Sequence, residues 1–279
     1  MLQIASLNTG SNGNCFYIGN ETEAVLIDAG ISCRETEKRM QRLSLDMGKV
    51  KAIFVSHEHG DHISGVPGLS KKYQLPVYIT KNTFAESNIP VAEDLLFDFR
   101  RIKQLKIGHL LIVPFKKHHD AADPYSFMIS CKGVNVGVIT DIGHSCPEVV
   151  HCFKQCHAVF LESNYCDDML DRGNYPFHLK KRISSDHGHL SNAQALDLFL
   201  NYRSPQLSHL ILSHLSKNNN SPEVVERLFS PHAGTTQITV ASRYQETAVF
   251  TIGGNGQPAP VIYYKKKQTD EFQLSLFGE

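Results

Sequence analysis

The stretch Val55-Ser56-His57-Glu58-His59-Gly60-Asp61-His62 constrains this chain more than any other part of the sequence. It follows an apolar run, residues 52–55, that is typical of a buried strand. Its imidazole and carboxylate side chains therefore leave the end of a strand and enter a turn at Gly60. These groups suit zinc, iron or manganese, and the motif lacks the cysteines of a closed structural zinc site. The sequence predicts an open, reactive metal site.

Length and charge exclude several classes of protein. With 279 residues, the chain is long enough to bury a substantial core. Lysine plus arginine equals aspartate plus glutamate, at 28 each, so any surface for nucleic acid must be local. No apolar run approaches the roughly 18 residues that a membrane span needs, and we expect no membrane partner.

The seven cysteines indicate the compartment. Their number is odd and they lack the spacing of a small disulfide-bonded domain, and the N terminus lacks a secretory signal pattern. Both features favour a cytoplasm that keeps thiols reduced. Cys152 and Cys156 lie four apart on a predicted helix, where we expect them to pack as small apolar residues.

Strand and helix patterns alternate along the chain, which predicts an α/β fold. Three strands joined by tight turns open it, and later segments include predicted helices over residues 62–73 and 165–186. The sequence contains no repeat and no low-complexity linker. We therefore predict one domain over residues 1–264, with residues 265–279 as a loose C-terminal tail.

Polar residues follow many of the predicted strands. In open α/β sheets such strand ends meet at one edge, where the functional site lies. We therefore expect one concave polar edge. It is predicted to contain Asp28, His57, His59, Asp61, His62, His119, Asp141, Glu162, His189 and His214.

The order of these motifs resembles the metallo-β-lactamase superfamily. An Asp-Ala-Gly precedes the histidine motif, and a His-Asp, a Thr-Asp-Ile-Gly and a Leu-Ser-His-Leu-Ser follow it. The resemblance implies a four-layer αββα sandwich with a two-metal site between its loops. Residues 162–165, 175–183, 188–192 and 214–219 further resemble the YycJ/WalJ-type branch, which is associated with DNA exonuclease activity and is related to ribonuclease Z.

The resemblance also implies a ligand set for two divalent ions of zinc, manganese or iron. One ion would be held by His57, His59 and His119. The other would be held by Asp61, His62 and His214, and Asp141 would bridge the two. His118 is the alternative to His119, since neighbouring residues on an extended chain point to opposite sides. Asp28 is expected to orient a ligand histidine from outside the metal shell.

The implied chemistry is hydrolysis by a hydroxide that bridges two metals. Cations roughly 3.5 to 4 Å apart can share a hydroxide and clamp an in-line displacement at phosphorus. We predict that Asp61 orients this hydroxide and takes part in the deprotonation of the water from which it forms. His189 matches a histidine that ribonuclease Z-like nucleases present to the scissile phosphate, and it would assist the leaving group. Glu162 would hold its ring.

The substrate must be inferred from local sequence, because this fold supports many reactions. The stretch between Asp141 and His189 is too short for the inserted domain of β-CASP nucleases. It does contain a basic cluster with an aromatic residue, predicted to bind nucleic acid through phosphates and base stacking. The predicted substrate-binding residues are Tyr175, Lys180, Lys181 and Arg182, with Phe177, Lys116 and Lys117 nearby.

These features favour a metal-dependent phosphodiesterase that degrades nucleic acid from an end, DNA rather than RNA, with a role in DNA repair as one hypothesis. The alternative is a small-molecule hydrolase acting on a thioester, a lactone or a cyclic phosphodiester. A third hypothesis is a non-catalytic metal-binding module. Oligomeric state, metal identity and polarity of digestion are left open by the sequence.

Overall fold

Continuous apolar runs form most of the strands, because both faces of each sheet are covered. The computed structural model describes residues 1–253 and 274–275. Its strands are β1 (Leu2–Asn8), β2 (Cys15–Gly19), β3 (Ala24–Ile27), β4 (Val50–Phe54), β5 (Val77–Tyr78), β6 (Leu96–Asp98), β7 (Leu105–Ile107), β8 (Leu110–Lys116), β9 (Tyr125–Cys131), β10 (Val134–Ile139), β11 (Ala158–Glu162), β12 (His209–Ser213), β13 (Gln237–Val240), β14 (Phe250–Ile252) and β15 (Leu274–Ser275).

The helices lie between these strands in the chain. They are α1 (Cys33–Arg42), α2 (Gly60–Ile63), α3 (Val66–Tyr73), α4 (Lys81–Ser87), α5 (Pro147–Phe153), α6 (Asp167–Arg172), α7 (Phe177–Ile183), α8 (Asn192–Tyr202) and α9 (Pro222–Phe229). The predicted cap Ser32 accepts a hydrogen bond from the backbone N–H of Glu35 at 3.2 Å, and α1 starts there.

The strands form two mixed sheets. The first has the order β14-β1-β2-β3-β4-β5-β6-β15, and the second has the order β13-β12-β11-β10-β9-β8-β7. Strands β3 to β6 are parallel, as are β10 to β13. The carboxyl ends of these parallel strands lie at one edge of the sandwich, where functional groups are expected to meet.

Aromatic side chains fill the space between the two sheets. Phe16 packs against Phe160 with ring centroids 4.9 Å apart, and Phe54 packs against Phe127 at 5.7 Å. A second apolar cluster joins the outer face of the second sheet to α5, α8 and α9, and a third joins the first sheet to α1 and α3. These layers confirm the predicted αββα sandwich.

Two predicted helices are wrong as single elements. The segment over residues 62–73 is divided into α2 and α3, because Gly65 lies directly against the backbone that follows β3. A Cβ at Gly65 would lie 1.9 Å from the carbonyl oxygen of Ile31. The segment over residues 165–186 is divided into α6 and α7 around Gly173 and Pro176, since proline cannot continue a preceding helix.

Other predictions concern the cysteines, the membrane and the chain end. All seven cysteines are free thiols, and Cys152 and Cys156 are buried in the apolar cluster beside the second sheet, as expected. No helix within the described residues is long and apolar enough to span a bilayer. The predicted loose tail, residues 265–279, lies outside the described residues except for 274–275. The single-domain boundary stays a prediction.

We expect Phe160→Ala to lower the free energy of unfolding by about 3–5 kcal/mol, because it leaves a cavity between the sheets. Phe177→Ala is the matched control: Phe177 is 80% exposed, and its truncation should change stability by no more than about 0.5 kcal/mol. Urea unfolding at one fixed metal concentration measures both. Equal losses in the two variants would contradict this description of the core.

Candidate metal centre

Strand ends build the centre. Asp28 directly follows β3, Asp141 lies just after β10, and His214 directly follows β12. Their φ angles are 58°, 55° and 58°, a left-handed region that residues other than glycine seldom adopt. Such conformations persist only where the surrounding structure enforces them, and they are concentrated at functional sites. The chain therefore turns sharply at three strand ends, which brings these side chains together.

Three histidines form the first cluster of possible ligands. His57 Nε2 and His59 Nδ1 lie 3.1 Å apart, and one nitrogen from each of His57, His59 and His119 lies within 4.8 Å of the others. Nδ1 of His119 donates to the carbonyl oxygen of Gly188 at 2.9 Å, which directs Nε2 into the cluster. That Nε2 atom is buried without a hydrogen-bond partner among the described residues.

The second cluster contains Asp61, His62 and His214. Asp61 Oδ2 lies 3.5 Å from His62 Nε2 and 3.7 Å from His214 Nε2. The carboxylate of Asp141 faces the same two rings, with Oδ2 at 3.4 Å from His62 and Oδ1 at 3.3 Å from His214. Asp141 also groups with His57 and His62. It therefore lies between the two clusters, where a bridging ligand would lie.

Asp28 contacts the second cluster from behind. Its Oδ2 lies 2.8 Å from Nδ1 of His62, and its Oδ1 accepts from the backbone N–H of Ser56 at 2.7 Å. The hydroxyl of Ser56 donates to Asp28 at 2.8 Å and lies 2.8 Å from Nδ1 of His57. These contacts orient one histidine of each cluster, His57 and His62. This is the outer-shell arrangement expected for Asp28.

Glu162 is the corresponding buried carboxylate on the other side. Its Oε1 lies 2.7 Å from Nδ1 of His189 and 3.1 Å from Nδ1 of His214. Its Oε2 accepts from the backbone N–H groups of Ile142 and Leu190, at 2.7 and 3.2 Å. The contact with His189 was anticipated, whereas the contact with His214 was missed. Glu162 thus orients a possible metal ligand and the candidate acid together.

In the second cluster, charged neighbours together change the pKa values more than burial does. Burial alone would raise the pKa of Asp61, but His62 and His214 lower it to about 2. Burial also disfavours the charged ring of His62, yet Asp141, Asp28 and Asp61 raise its pKa to about 10. Asp141 likewise outweighs burial at His214 and raises its pKa well above the ordinary value. Protons on these rings balance the carboxylates, and a divalent cation would displace them.

In the first cluster, burial rather than charged neighbours sets the pKa values of the histidines. Burial lowers the pKa of His119 to about 4 and that of His57 well below its ordinary value. Both rings are therefore neutral, which is the form that ligates a metal. Nε2 of His119, Nε2 of His214 and Oδ2 of Asp141 are buried without hydrogen-bond partners within residues 1–253. Buried nitrogen and oxygen atoms that lack a hydrogen-bond partner are suited to ligate a divalent ion such as zinc, manganese or iron.

Lys117 is not a surface contact for phosphate, which corrects the sequence prediction. Its side chain is buried, and Nζ donates to the carbonyl oxygen of Thr140 at 2.9 Å. It therefore supports the strand end that carries Asp141. Lys116 is exposed, but its Nζ lies 4.4 Å from the ring centroid of Tyr125 and it forms an ion pair with a nearby aspartate.

Two residues of the centre were missed from sequence. Nδ2 of Asn14 donates to Oδ2 of Asp61 at 3.2 Å and lies 3.0 Å from Nε2 of His62. Oε1 of Glu58 accepts from the backbone N–H of Ala122 at 2.7 Å, which joins the motif to the loop that carries the third histidine. The sequence marked Asn14 only by its place in a polar turn after β1. No sequence feature marked Glu58 as a supporting residue.

The two adjacent histidines point to opposite sides of their loop. His119 points into the first cluster, whereas the ring of His118 lies 4.7 Å from that of His144 and 5.6 Å from that of His187. His118 is therefore on the outer side of the loop. The alternation of side chains along an extended segment accounts for the separation.

The predicted substrate-binding residues lie on or beside α7, none of whose side chains is buried. Lys180 Nζ donates to the carbonyl oxygen of Asp171 at 2.5 Å, and Arg182 Nε donates to Oδ2 of Asp120 at 2.5 Å. Asp120 follows His119 in the chain, so Arg182 fixes α7 beside the first cluster. Lys181 is exposed to solvent.

Aromatic residues continue this surface. The ring of Phe177 is 80% exposed at the start of α7. The hydroxyl of Tyr175 accepts from Nδ2 of Asn218 at 3.0 Å, on the loop after His214. The α6–α7 segment therefore extends along the centre from the first cluster toward the second.

Comparison with known proteins gives consistent relatives. A profile of the metallo-beta-lactamase superfamily matches residues 8–146. The Exodeoxyribonuclease YycJ of Bacillus anthracis is 34% identical, with 80% of this chain and 86% of that protein covered. The Exodeoxyribonuclease WalJ of Streptococcus pneumoniae is 28% identical over 78% and 83% of the two chains. A Ribonuclease Z of Streptomyces avermitilis is 23% identical, covering 82% and 89%.

A solved structure agrees in fold. The metallo-β-lactamase fold protein YhfI of Bacillus subtilis is 15% identical and matches with a TM-score of 0.69, over 90% of this chain and 100% of that chain. At this identity the likeness supports the fold and nothing finer. From its sandwich, its clusters of histidine and aspartate and its relatives, the chain belongs to the metallo-β-lactamase superfamily of hydrolases.

Proposed function

We propose that this protein is a two-metal phosphodiesterase that degrades DNA from an end. The observation that carries the proposal is the placement of His189. Glu162 holds its Nδ1 at 2.7 Å, and its ring centroid lies 5.1 Å from that of His119 and 5.2 Å from that of His214. Its side chain is 22% exposed, so the second nitrogen of the ring is available to a substrate oxygen beside both clusters.

The two clusters supply the ligands. His57, His59 and His119 would hold one divalent ion, Asp61, His62 and His214 the other, and Asp141 would bridge them. When bound, such ions lower the pKa of water and stabilise negative charge on phosphoryl oxygens. Asp61 is 22% exposed, and Asn14 holds it at 3.2 Å. Asp61 orients the attacking water and accepts its proton.

His189 acts on the other side of the scissile bond. As a general acid it gives a proton to the leaving oxygen, which is poor without protonation. Nδ1 is occupied by its contact with Glu162, so Nε2 is the nitrogen that faces the leaving oxygen. Because Glu162 also contacts His214 at 3.1 Å, the acid is held in a fixed position relative to the metal ligands.

Nucleic acid is supported by the surface beside the centre. Lys181 and the ring of Phe177 face solvent on α7, a pairing suited to a backbone phosphate and an unstacked base. The relatives named exodeoxyribonucleases support DNA and attack from an end. A role in DNA repair, in a cytoplasm that keeps the seven thiols reduced, is part of the same proposal.

A small-molecule hydrolase is the second candidate. The observation in its favour is that Lys180 and Arg182 already have partners, a backbone carbonyl and Asp120. Less free positive charge is left for a polyanion than the sequence indicates. Thioesters, lactones and cyclic phosphodiesters are its candidate substrates.

Digestion of end-labelled single- and double-stranded DNA and RNA tests the main proposal. With added Mn²⁺ or Zn²⁺ we expect progressive shortening of DNA from one end, and none with chelator. His59→Ala should lose this activity together with bound metal, because one imidazole of the first cluster is missing. Metal content is measured by mass spectrometry.

His232→Ala is the matched histidine control, since His232 is exposed and lies outside both clusters. It should retain metal and activity. The opposite outcome is a metal-loaded wild-type protein that shortens no nucleic acid and yet hydrolyses a thioester or a lactone. That result would contradict the nuclease proposal and support the small-molecule hydrolase.

His189→Ala should keep both metals and lower kcat by about 10²- to 10⁴-fold, the usual contribution of a general acid. Loss of the acid should lower kcat much less for a phosphodiester with a nitrophenolate leaving group, because that leaving group needs no proton. Metal analysis and kcat on the two substrates together separate this role from a structural one. A variant with wild-type kcat contradicts it.

Replacing Lys180, Lys181 and Arg182 by Ala should raise KM for DNA and reduce its salt dependence, because phosphate contacts release counterions. Lys181→Ala alone is the cleaner test, since it breaks no contact described above. It should reduce the slope of log KM against log salt by about 0.7 for a single strand. Lys106→Ala, exposed on β7, is the control. An unchanged slope in the triple variant removes α7 from the binding surface.

A further inference from the structure

The loop after β13 lies on the same edge of the sandwich as the metal centre. Ala241 begins it with a backbone hydrogen bond to Leu212 of β12, the strand that ends at His214. Nδ2 of Asn12 donates to the carbonyl oxygen of Arg243 at 2.7 Å. Arg39 donates to the carbonyl oxygen of the next residue at 3.2 Å. The backbone of this loop is therefore held in place from two sides.

A short chain of contacts joins this loop to the second cluster. The turn after β1 carries Gly10, whose N–H donates to Oδ1 of Asn14 at 2.9 Å, and Asn14 contacts Asp61. A Cβ on Gly10 would lie 3.6 Å from both Arg243 Cβ and the carbonyl oxygen of Leu215. Leu215 follows His214. Arg243 is thus separated from the second cluster by one layer of residues.

The guanidinium of Arg243 has unused hydrogen-bonding capacity. Its Nη2 donates to the hydroxyl of Ser11 at 3.2 Å, whereas Nη1 is buried without a partner among the described residues. The acid of the same loop, Glu246, is already paired with Arg42 at 2.6 Å. Nη1 is closed to solvent, so a phosphate can reach only the exposed part of this half-buried side chain, and arginine is the side chain best suited to that contact.

The neighbouring Tyr244 presents an aromatic face to solvent. It is 70% exposed, and the guanidinium of Arg243 lies 5.9 Å from its ring centroid. An exposed aromatic ring beside a cation is how proteins hold single-stranded nucleic acid, since every base has a face that stacks.

We propose that Arg243 and Tyr244 form a second nucleic-acid subsite, on the His214 side of the metal centre. Arg243 binds a backbone phosphate of a single strand, and Tyr244 stacks on an adjacent base. The inference rests on the proposed nuclease function. The exposed residues of α7 lie beside the first cluster, so a strand that contacted both α7 and this subsite would pass over the two clusters.

The test measures binding of a labelled, phosphorothioate-linked single strand of about 12 nucleotides, within the range that single-strand grooves cover. Fluorescence anisotropy on metal-loaded protein gives Kd. Tyr244→Ala and Arg243→Ala should each raise Kd about 5-fold or more. Arg243→Ala should also lower the salt slope by about 0.7, and Tyr244→Ala should leave it unchanged. Tyr244→Phe should restore the affinity, because stacking needs no hydroxyl.

Arg203→Ala is the matched control, since Arg203 lies 4.6 Å from the ring of Phe199 at the far end of α8. It should bind like wild type. Arg243→Gln removes the charge but keeps a polar, largely unshortened side chain, so it provides a second measurement where Arg243→Ala is unstable. Wild-type affinity in Tyr244→Ala and Arg243→Gln overturns the subsite alone. Absence of binding by the wild-type protein overturns the nuclease proposal and the subsite with it.

Discussion

The structure depends on a group of buried carboxylates held close together. The buried Asp28, Asp141 and Glu162, together with the partly exposed Asp61, converge on a few histidine rings. Like charges in such a space repel strongly, so the arrangement needs positive charge within it. Without metal, protons on His62 and His214 provide that charge. Divalent cations bound there would provide more of it, so that folding of the loops and metal binding would favour each other.

The sandwich makes this concentration of charge possible. Three residues of the centre have left-handed backbone conformations at strand ends. The backbone N–H of Asp28 donates to Phe54 of β4, that of His214 donates to Thr9, and that of Ile142, next to Asp141, donates to Glu162. The aromatic layer between the sheets fixes those strands. Strain at the edge is therefore balanced by packing in the interior, which keeps the candidate ligands in place just beyond the ends of rigid strands. Glu58 and Lys117 extend the same support to the loop of His119 and to Asp141.

The sequence predicted the elements whose signals are local. Polar residues after apolar runs located the strand ends, and the histidine motif located the centre, because period and spacing are visible along the chain. Helix divisions were missed, since they depend on contacts such as Gly65 against Ile31. The contacts of Asn14 with Asp61 and of Glu162 with His214 join residues far apart in the chain, and no short pattern marks them. Lys117 was wrongly placed among the substrate-binding residues. Nothing in the local sequence indicates that Lys117 is buried while its neighbour Lys116 is exposed.

Substrate binding in this protein cannot depend on bulk charge. The formal net charge is zero, and Arg182 and Lys180 have partners within the protein. Long-range attraction of a polyanion is consequently weak. In the proposed nuclease, affinity would come from bound metals, from local phosphate contacts such as Lys181 and Arg243, and from rings such as Phe177 and Tyr244. Bases can reach those rings only where they are unstacked, which happens at ends and in single strands more readily than inside a duplex. Binding through exposed rings would therefore agree with the proposed attack from an end.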